Sequence, residues 1–371
     1  MAIVFAAYLF AGKLGQATSN IRSSNLGPVW PAYGIALAAI LIFGYRVWPG
    51  VAAGAIVVAF FSPVSHVTAL GQAAGSTLAA IIGAFVLFRL VGFQPTLSRL
   101  SDALSLIALG GFGSALVSAS LGVLVLFATH VRPYSGLGAA WLIYWLGDAT
   151  GVLLVTPLVL RFRDFLELHD RERLVEFVLL LVLLVLTCVF VFGDIPIKVH
   201  VMAFAVLPFV IWAAIRFGVG VTALSIFIVA TIATVETALG SGPFTSNTPF
   251  VDAVLLDAFF VILSVSGLSL AAVIAEREHA KDERQEVVSQ QAAMEARLQA
   301  DEALRESEER LRLATQAGKM YAYDWDVVTD EIVRSEGFTN ILGLAESTHM
   351  TRKRFLTRVH PEDRASFLAA V

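Results

Sequence analysis

The sequence predicts an all-α polytopic membrane bundle of about eight to ten transmembrane helices, then a charged helical connector and an incomplete α+β segment. Three observations predict this. The chain is 57% hydrophobic, with a mean hydropathy of +0.76. Only 15% of its residues are charged, against about a quarter in a soluble protein. The charges are sparse up to residue 275 and dense from the run Glu276-Arg-Glu-His-Ala-Lys-Asp-Glu-Arg284 onward. Residues 1–275 cannot supply the polar surface of a soluble enzyme. The formal net charge of −4 averages two unlike halves. Cys188 is the single cysteine, which excludes a disulfide framework and a cysteine-rich metal site. Met1 leads directly into an apolar stretch with no small-residue cleavage site, so it reads as a first span and not a removed signal peptide.

Apolar runs bounded by Pro, Gly and charge place spans at roughly 2–18, 29–45, 47–62, 66–89, 103–129, 138–160, 174–192, 199–216, 218–239 and 250–275. Tyr45-Arg46-Val47 alone separates the second and third, making them a tight hairpin or a partly re-entrant pair. Eight full spans plus irregular segments is the alternative count. One side of this arrangement carries Arg46, Arg89, Arg99, Arg161, Arg163, Arg171, Arg173 and Arg216; the other carries Lys13, Arg22, Arg132 and Lys198. The richer side is expected in the cytoplasm of a bacterial plasma membrane, with both termini there. Gly50/Gly54, Gly71/Gly75 and Gly147/Gly151 are small-residue pairs that let helices approach closely. Trp30, Trp48, Trp141 and Trp145 fall at or near predicted span ends, where indoles favour the interface.

Polar groups inside a membrane are costly, which makes them candidates for function. Asp148 is the deepest, near the middle of the sixth span in Trp145-Leu-Gly-Asp-Ala-Thr-Gly151. Its bland reading is a structural pair with a neighbouring helix. Glu236, Asp252 and Asp257 are expected toward the outer ends of the last two spans. Asp252 and Asp257 are five apart and do not share a helix face. Arg216 ends the eighth span, where it serves as an anchor or a sensing group. His66, His130 and His200, with Asp194 and Asp252, are expected near outer ends, but no ligand spacing marks them as a metal or pH site.

Three ordered blocks carry a resemblance. The first is Trp30-Pro31, Gly34-Ile-Ala-Leu-Ala and Gly44-Tyr-Arg-Val-Trp-Pro-Gly50. The second is Trp145-Leu-Gly-Asp-Ala-Thr-Gly151 with Thr156-Pro157. The third is Leu207-Pro208, Trp212, Arg216-Phe-Gly218 and Gly240-Ser-Gly-Pro-Phe244. Over residues 1 to about 275 the chain resembles the membrane-associated sensor domain MASE, type one. Its family positions map to Trp30, Pro31, Gly147, Asp148, Pro157, Arg216, Phe217 and Gly218. The resemblance implies an integral membrane sensory module of bacterial histidine kinases and cyclic-di-GMP enzymes. It names no ligand.

Residues 276–312 are rich in Glu, Arg, Gln and Ala and hold no Pro or Gly, which favours a long helix. Val287 and Met294 are a heptad apart, as are Leu304 and Leu311, with a phase shift between the pairs around Asp301 and Glu302. A parallel homodimeric coiled coil with a skip is expected. Beyond it, Tyr321-Ala-Tyr-Asp-Trp-Asp-Val-Val328 alternates as a strand does, Thr329-Asp330-Glu331 reads as a turn, and Ile332-Val333-Arg334 as a second strand. With Ile341-Leu342-Gly343 and Val359-His360-Pro361-Glu362-Asp363-Arg364, residues 307–371 resemble the N-terminal part of a PAS domain. Pro361 is expected in the first turn of a short helix, with His360 supporting that turn. Such a domain needs roughly 100 residues to close, so it is expected to be truncated here. A photoactive flavin PAS domain needs a reactive cysteine, and none follows Cys188; no cofactor is named by the sequence.

The reading is a sensory receptor in a lipid bilayer that answers an unknown ligand or membrane partner. It passes a signal through the coiled coil and PAS segment to an output domain. That output is read as a histidine kinase of a two-component system, on family association. A diguanylate cyclase or phosphodiesterase is the alternative. A transporter built around Asp148 is a different class, disfavoured by the heptad connector and the lack of an inverted repeat. A bundle that only anchors the PAS segment is a third. No catalytic set and no nucleic-acid-binding surface is legible.

Overall fold

The computed structural model describes residues 1–20, 29–62, 65–130, 136–167, 170–193, 200–246, 248–320, 323–326, 328–334, 341, 343 and 350–370. They form two compact units, Met1–Asp282 and Glu283–Val371.

The first unit is built of helices joined by short connections. Its elements are α1 (Ala2–Asn20), α2 (Pro31–Phe43), α3 (Trp48–Phe60), α4 (His66–Leu90), α5 (Leu100–Ser105), a π-helical stretch (Leu106–Gly113), α6 (Ser114–Ala128), α7 (Leu137–Leu160), α8 (Arg171–Phe192), α9 (Leu207–Phe217), α10 (Val219–Leu239) and the start of α11 (Pro249–Ala317). Every predicted span is found as helix, but not every one at full length. Among the described residues six helical runs are long and apolar enough to cross a membrane: α4, Leu100–Ala128, α7, α8, α10 and α11. Ala2–Ala17, Pro31–Phe43, Tyr45–Phe60 and Ala203–Phe217 are apolar but shorter. The 13 residues of α2 span about 20 Å, short of the ~30 Å hydrocarbon core.

Local chemistry sets these lengths. Pro31 begins α2 and Pro208 lies in the first turn of α9, where a missing N–H costs nothing. Gly44 and Gly218 end those two helices with φ of 76° and 78° and nearly extended ψ. Only glycine adopts this backbone without strain. The chain therefore turns at once into α10, and into α3 through a single 3-10 turn, Tyr45–Val47. The fifth span, expected as one α-helix, is interrupted by the π stretch. Gly110, Gly111 and Gly113 occur in it, and their lack of side chains lets the wider turn form.

Contact registers give the direction of crossing. Met1 meets Gly50, Tyr8 meets Gly54 and Gly12 meets Val58, so α1 and α3 run parallel. Gly71 meets Val125 and Gly83 meets Ser114, so α4 and α6 run antiparallel. Trp30 meets Gly147 and Gly34 meets Gly151, so α2 and α7 run parallel. These are the directions expected if each helical segment crosses in turn. The Arg161 side chain donates to the Thr96 carbonyl at 2.8 Å, and Leu100 N–H donates to the Glu276 carboxylate at 2.9 Å. The ends of α4, α7 and the bundle part of α11 therefore lie on one face of the unit. The apolar core runs through α1–α4, α7 and α10 to Phe259, Phe260 and Leu263 of α11.

The second unit begins inside α11, which continues without a break to Ala317. An antiparallel hairpin follows, β1 (Tyr323–Asp326) and β2 (Glu331–Arg334), in the register Tyr323↔Arg334 to Asp326↔Glu331. Glu331, expected in the turn, is the first residue of β2 because it pairs with Asp326. Thr351 bridges to Glu331, and Ile332 N–H bonds the Met350 carbonyl at 3.2 Å, placing a further segment beside β2. α12 (Arg352–Leu356) and α13 (Arg364–Ala370) complete the unit. Ile332, Met350 and Phe355 form its small core, flanked by Trp325, Val359 and Phe367. Pro361 lies in a turn before α13 and not in its first turn, since the helix starts at Arg364. The His360 carbonyl closes that turn by accepting from Asp363 N–H at 2.9 Å. Tyr321, Ala322, Val327 and Leu342 lie outside the described residues.

The hairpin turn has a pH signature. Val328 and Thr329 N–H groups donate to Asp326 Oδ1 at 2.8 and 3.3 Å and hold its carboxyl below the usual carboxylate range. Bonds to the charged form stabilise the fold above the unfolded value of about 3.9 and are lost as pH falls through the lowered value. The protection factor of Val328 N–H, its exchange rate relative to an unstructured amide at the same pH, should fall on acidification through that window, and Asp326→Ala should remove the fall.

Candidate functional site

The two sequence blocks around Trp30 and Asp148 are one structural object. Trp30 N–H donates to the Gly147 carbonyl at 2.9 Å, and the Thr156 hydroxyl donates to the Gly34 carbonyl at 3.0 Å. A Cβ on Gly151 would lie 2.1 Å from the Trp30 carbonyl oxygen, and one on Gly34 would lie 2.2 Å from that of Gly151. The small residues bring the backbones of α2 and α7 into direct contact. Pro157 follows immediately and removes the N–H that would bond Leu153.

Residues two apart on a helix lie about 200° apart around its axis. Asp148 and Thr150 of α7 therefore point to different neighbours. Asp148, 2% exposed, faces the layer formed by α1, α2, the π stretch and α6. Tyr8, Tyr33 and Tyr144 lie in the field of its carboxylate, and Ser118 is the hydroxyl beside it. The Tyr33 hydroxyl donates to Ser114 at 2.7 Å, and Ser114 donates to the Gly110 carbonyl in the π stretch. The Trp145 indole donates to the Phe112 carbonyl at 2.9 Å, and Trp141 stacks on Trp145. Asp148 Oδ2 and Ser118 Oγ have no hydrogen-bond partner among the described residues.

Thr150 turns to α11, where its hydroxyl donates to Asp257 Oδ1 at 3.1 Å. Asp257 is fully buried. This corrects its expected place near an outer end: it lies two turns inside α11, level with the Asp148 region of α7. Asp252, also buried, accepts from Ser246 N–H at 2.6 Å and orders the loop before α11. Glu236 is half-buried, and its carbonyl accepts from Ser241 N–H at 2.9 Å in the C-cap that Gly240 makes possible.

The third block is a clamp between helices. Glu176 of α8 accepts from Arg216 Nε at 2.8 Å and from the Trp212 indole at 3.1 Å. Phe217 packs edge-on against Phe177. Gly218 supplies the turn into α10, and Phe244 joins Phe192 and Phe259 in an aromatic cluster. Arg216 thus ties α9 to α8, far from Asp148 in its contacts. His66 packs on Phe60, and no group of three His, Cys, Asp or Glu gathers among the described residues. Asp194 and the His200 side chain lie outside those described.

Sequence reasoning missed Glu176, although an acid inside an apolar run is the signal that singled out Asp148. It also missed Glu276 as a cap. Arg99 gives α5 no side-chain cap, so the Leu100 N–H takes the Glu276 carboxylate from α11 instead. No periodicity reports a pairing across that distance in the chain.

The arrangement offers a buried carboxylate among hydroxyls, a deformable π stretch beside it and a carboxylate latch where α11 leaves the bundle. No curated protein and no solved structure matches the chain. A family model matches residues 1–278, that of MASE1, a membrane sensory domain found in signalling proteins, and the chain belongs to this family.

Proposed function

We propose that the protein is a membrane-bound receptor module whose α11 carries a change in the bundle to the segment beyond residue 282. One observation carries the reading: α11 is a single helix from Pro249 in the apolar core to Ala317 in the second unit. At its exit, Glu276 is bonded to the first N–H of α5, whose continuation through the π stretch and α6 lines the Asp148 layer. A shift in that layer would load the latch, and α11 would move with it. Such a shift requires a ligand that binds the two packings differently.

The second unit is read as the first part of a PAS domain. Its hairpin, its third pairing segment and the short helix after His360-Pro361-Glu362-Asp363 support this. The arginine-rich face, where Glu276 also lies, is read as cytoplasmic, with both termini on it in a bacterial plasma membrane. The output is read as a histidine kinase on family association, with a cyclic-di-GMP enzyme as the other family output.

Beyond residue 282 Val287, Met294, Leu298, Leu304 and Leu311 are all exposed on α11. We read this stripe as the seam of a parallel homodimer. Single cysteines at 287, 294, 304 and 311 in a Cys188→Ser background should cross-link between copies in membranes, more strongly than cysteines at Ala292 or Gln299, which lie on the opposite face of the helix. Equal or absent cross-linking at all six positions would remove the dimeric relay.

A further inference from the structure

We propose that the Asp148 layer is a binding site for one monovalent cation, Na+ or H+. That such a cation is the sensed input rests on the sensory reading above; the binding itself does not. Asp148 and Ser118 are 2% and 1% exposed, and they are neighbours. Asp148 Oδ2 and Ser118 Oγ are both without a hydrogen-bond partner among the described residues. A Ser118 hydroxyl turned to Asp148 would satisfy both oxygens but leave the carboxylate charge buried and unbalanced, which is costly in a dry interior unless a cation neutralises it. A proton on Asp148, donated to Ser118, would do so, and so would a Na+ held by both oxygens.

The surroundings fix the charge of the occupant. The titratable side chains facing Asp148 are Tyr8 of α1, Tyr33 of α2 and Tyr144 of α7. α4 supplies Ser76 beside Tyr8, and α6 supplies Ser114 and Ser118. The π stretch supplies uncharged backbone. Among the described residues no Lys, Arg or His side chain appears among the groups acting on Asp148. One carboxylate is balanced by one positive charge, whereas a divalent ion would leave a net charge buried. The donors are all oxygens, the ligand type preferred by hard cations. Serine and tyrosine hydroxyls can turn to donate or accept, so the layer can adapt to either occupant. The π stretch adjoining Ser114 gives the surrounding backbone room to adjust.

The test is the thermal midpoint of the purified chain in nanodiscs, followed by tryptophan fluorescence. NaCl is compared with choline chloride at equal ionic strength, at pH 6 and pH 8.5. If Na+ is the occupant, it should raise the midpoint at pH 8.5 by about 2–4 °C over choline, because a ligand of the folded state stabilises it. Asp148→Asn should abolish the shift, and Asp257→Asn should retain it. If H+ is the occupant, Na+ should have no effect. The midpoint should then fall between pH 6 and pH 8.5, and Asp148→Asn should remove that fall. Ser118→Ala, which deletes one orphan oxygen, should weaken whichever response is seen. A wild-type midpoint indifferent to both ions overturns the proposal without recourse to any variant. So does an ion response that Asp148→Asn and Ser118→Ala leave unchanged. Neither result bears on cross-linking along α11, so failure here is distinguishable from failure of the sensory reading.

Discussion

Gly151→Ala should be among the most damaging single-methyl changes in the membrane unit. The added carbon would sit 2.1 Å from the Trp30 carbonyl oxygen and 2.8 Å from its carbon, both backbone atoms that no rotamer change can move. α2 and α7 must then separate. The Trp30–Gly147 and Thr156–Gly34 bonds, at 2.9 and 3.0 Å, would lengthen together. Overpacking of this kind costs about 1–3 kcal/mol, and loss of two buried bonds adds to it. The control lies on the same helix. Gly138 has nothing within 4 Å of its Cβ position, so Gly138→Ala should be neutral or stabilise by up to about 1 kcal/mol through helix propensity. Thermal midpoints of the two variants should move in opposite directions; equal shifts would mean that the α2–α7 contact is not close.

Gln290→Pro should sever the relay while leaving the bundle intact. Proline in a helix interior costs about 3 kcal/mol, removes an N–H and clashes with the carbonyl four residues back, here that of Glu286. Residue 290 lies beyond the first compact unit, so the thermal midpoint of Met1–Asp282 should not change. Cross-linking at 294, 304 and 311 should fall, and any output driven through α11 should lose its response. Retained cross-linking with a retained response would show that continuity of this helix is not needed.

The sequence makes the helices legible because apolar runs of bilayer length announce themselves by composition alone. Gly44 and Gly218 were legible as breaks, yet their role in shortening α2 and α9 was not, since it depends on a glycine-only backbone. The π stretch gave no periodicity signal distinct from an α-helix of Leu, Ala and Gly. Asp148 was found from its cost in a membrane. Its surroundings were not, because Tyr8, Tyr33 and Ser118 come from three separate helices and look like ordinary apolar or small residues in each. The depth of Asp257 is not legible, because Thr150 on the helix packed beside it sets that depth and the span ends do not. The partner of Glu276 lies 176 residues away, and only folding brings the two together.

The central claim is that the Asp148 layer and the exit of α11 are mechanically joined through α5, the π stretch and α6. Hydrogen exchange of the chain in nanodiscs tests this most directly, comparing wild type with Asp148→Asn. Altered protection is expected around Asp148 and also in residues 100–105, where the Leu100 N–H depends on Glu276. The same remote change should appear in Glu276→Gln, which weakens the latch itself. Changes confined to the neighbours of residue 148, with the Leu100 segment unaltered, would contradict the account and leave Asp148 a local packing residue.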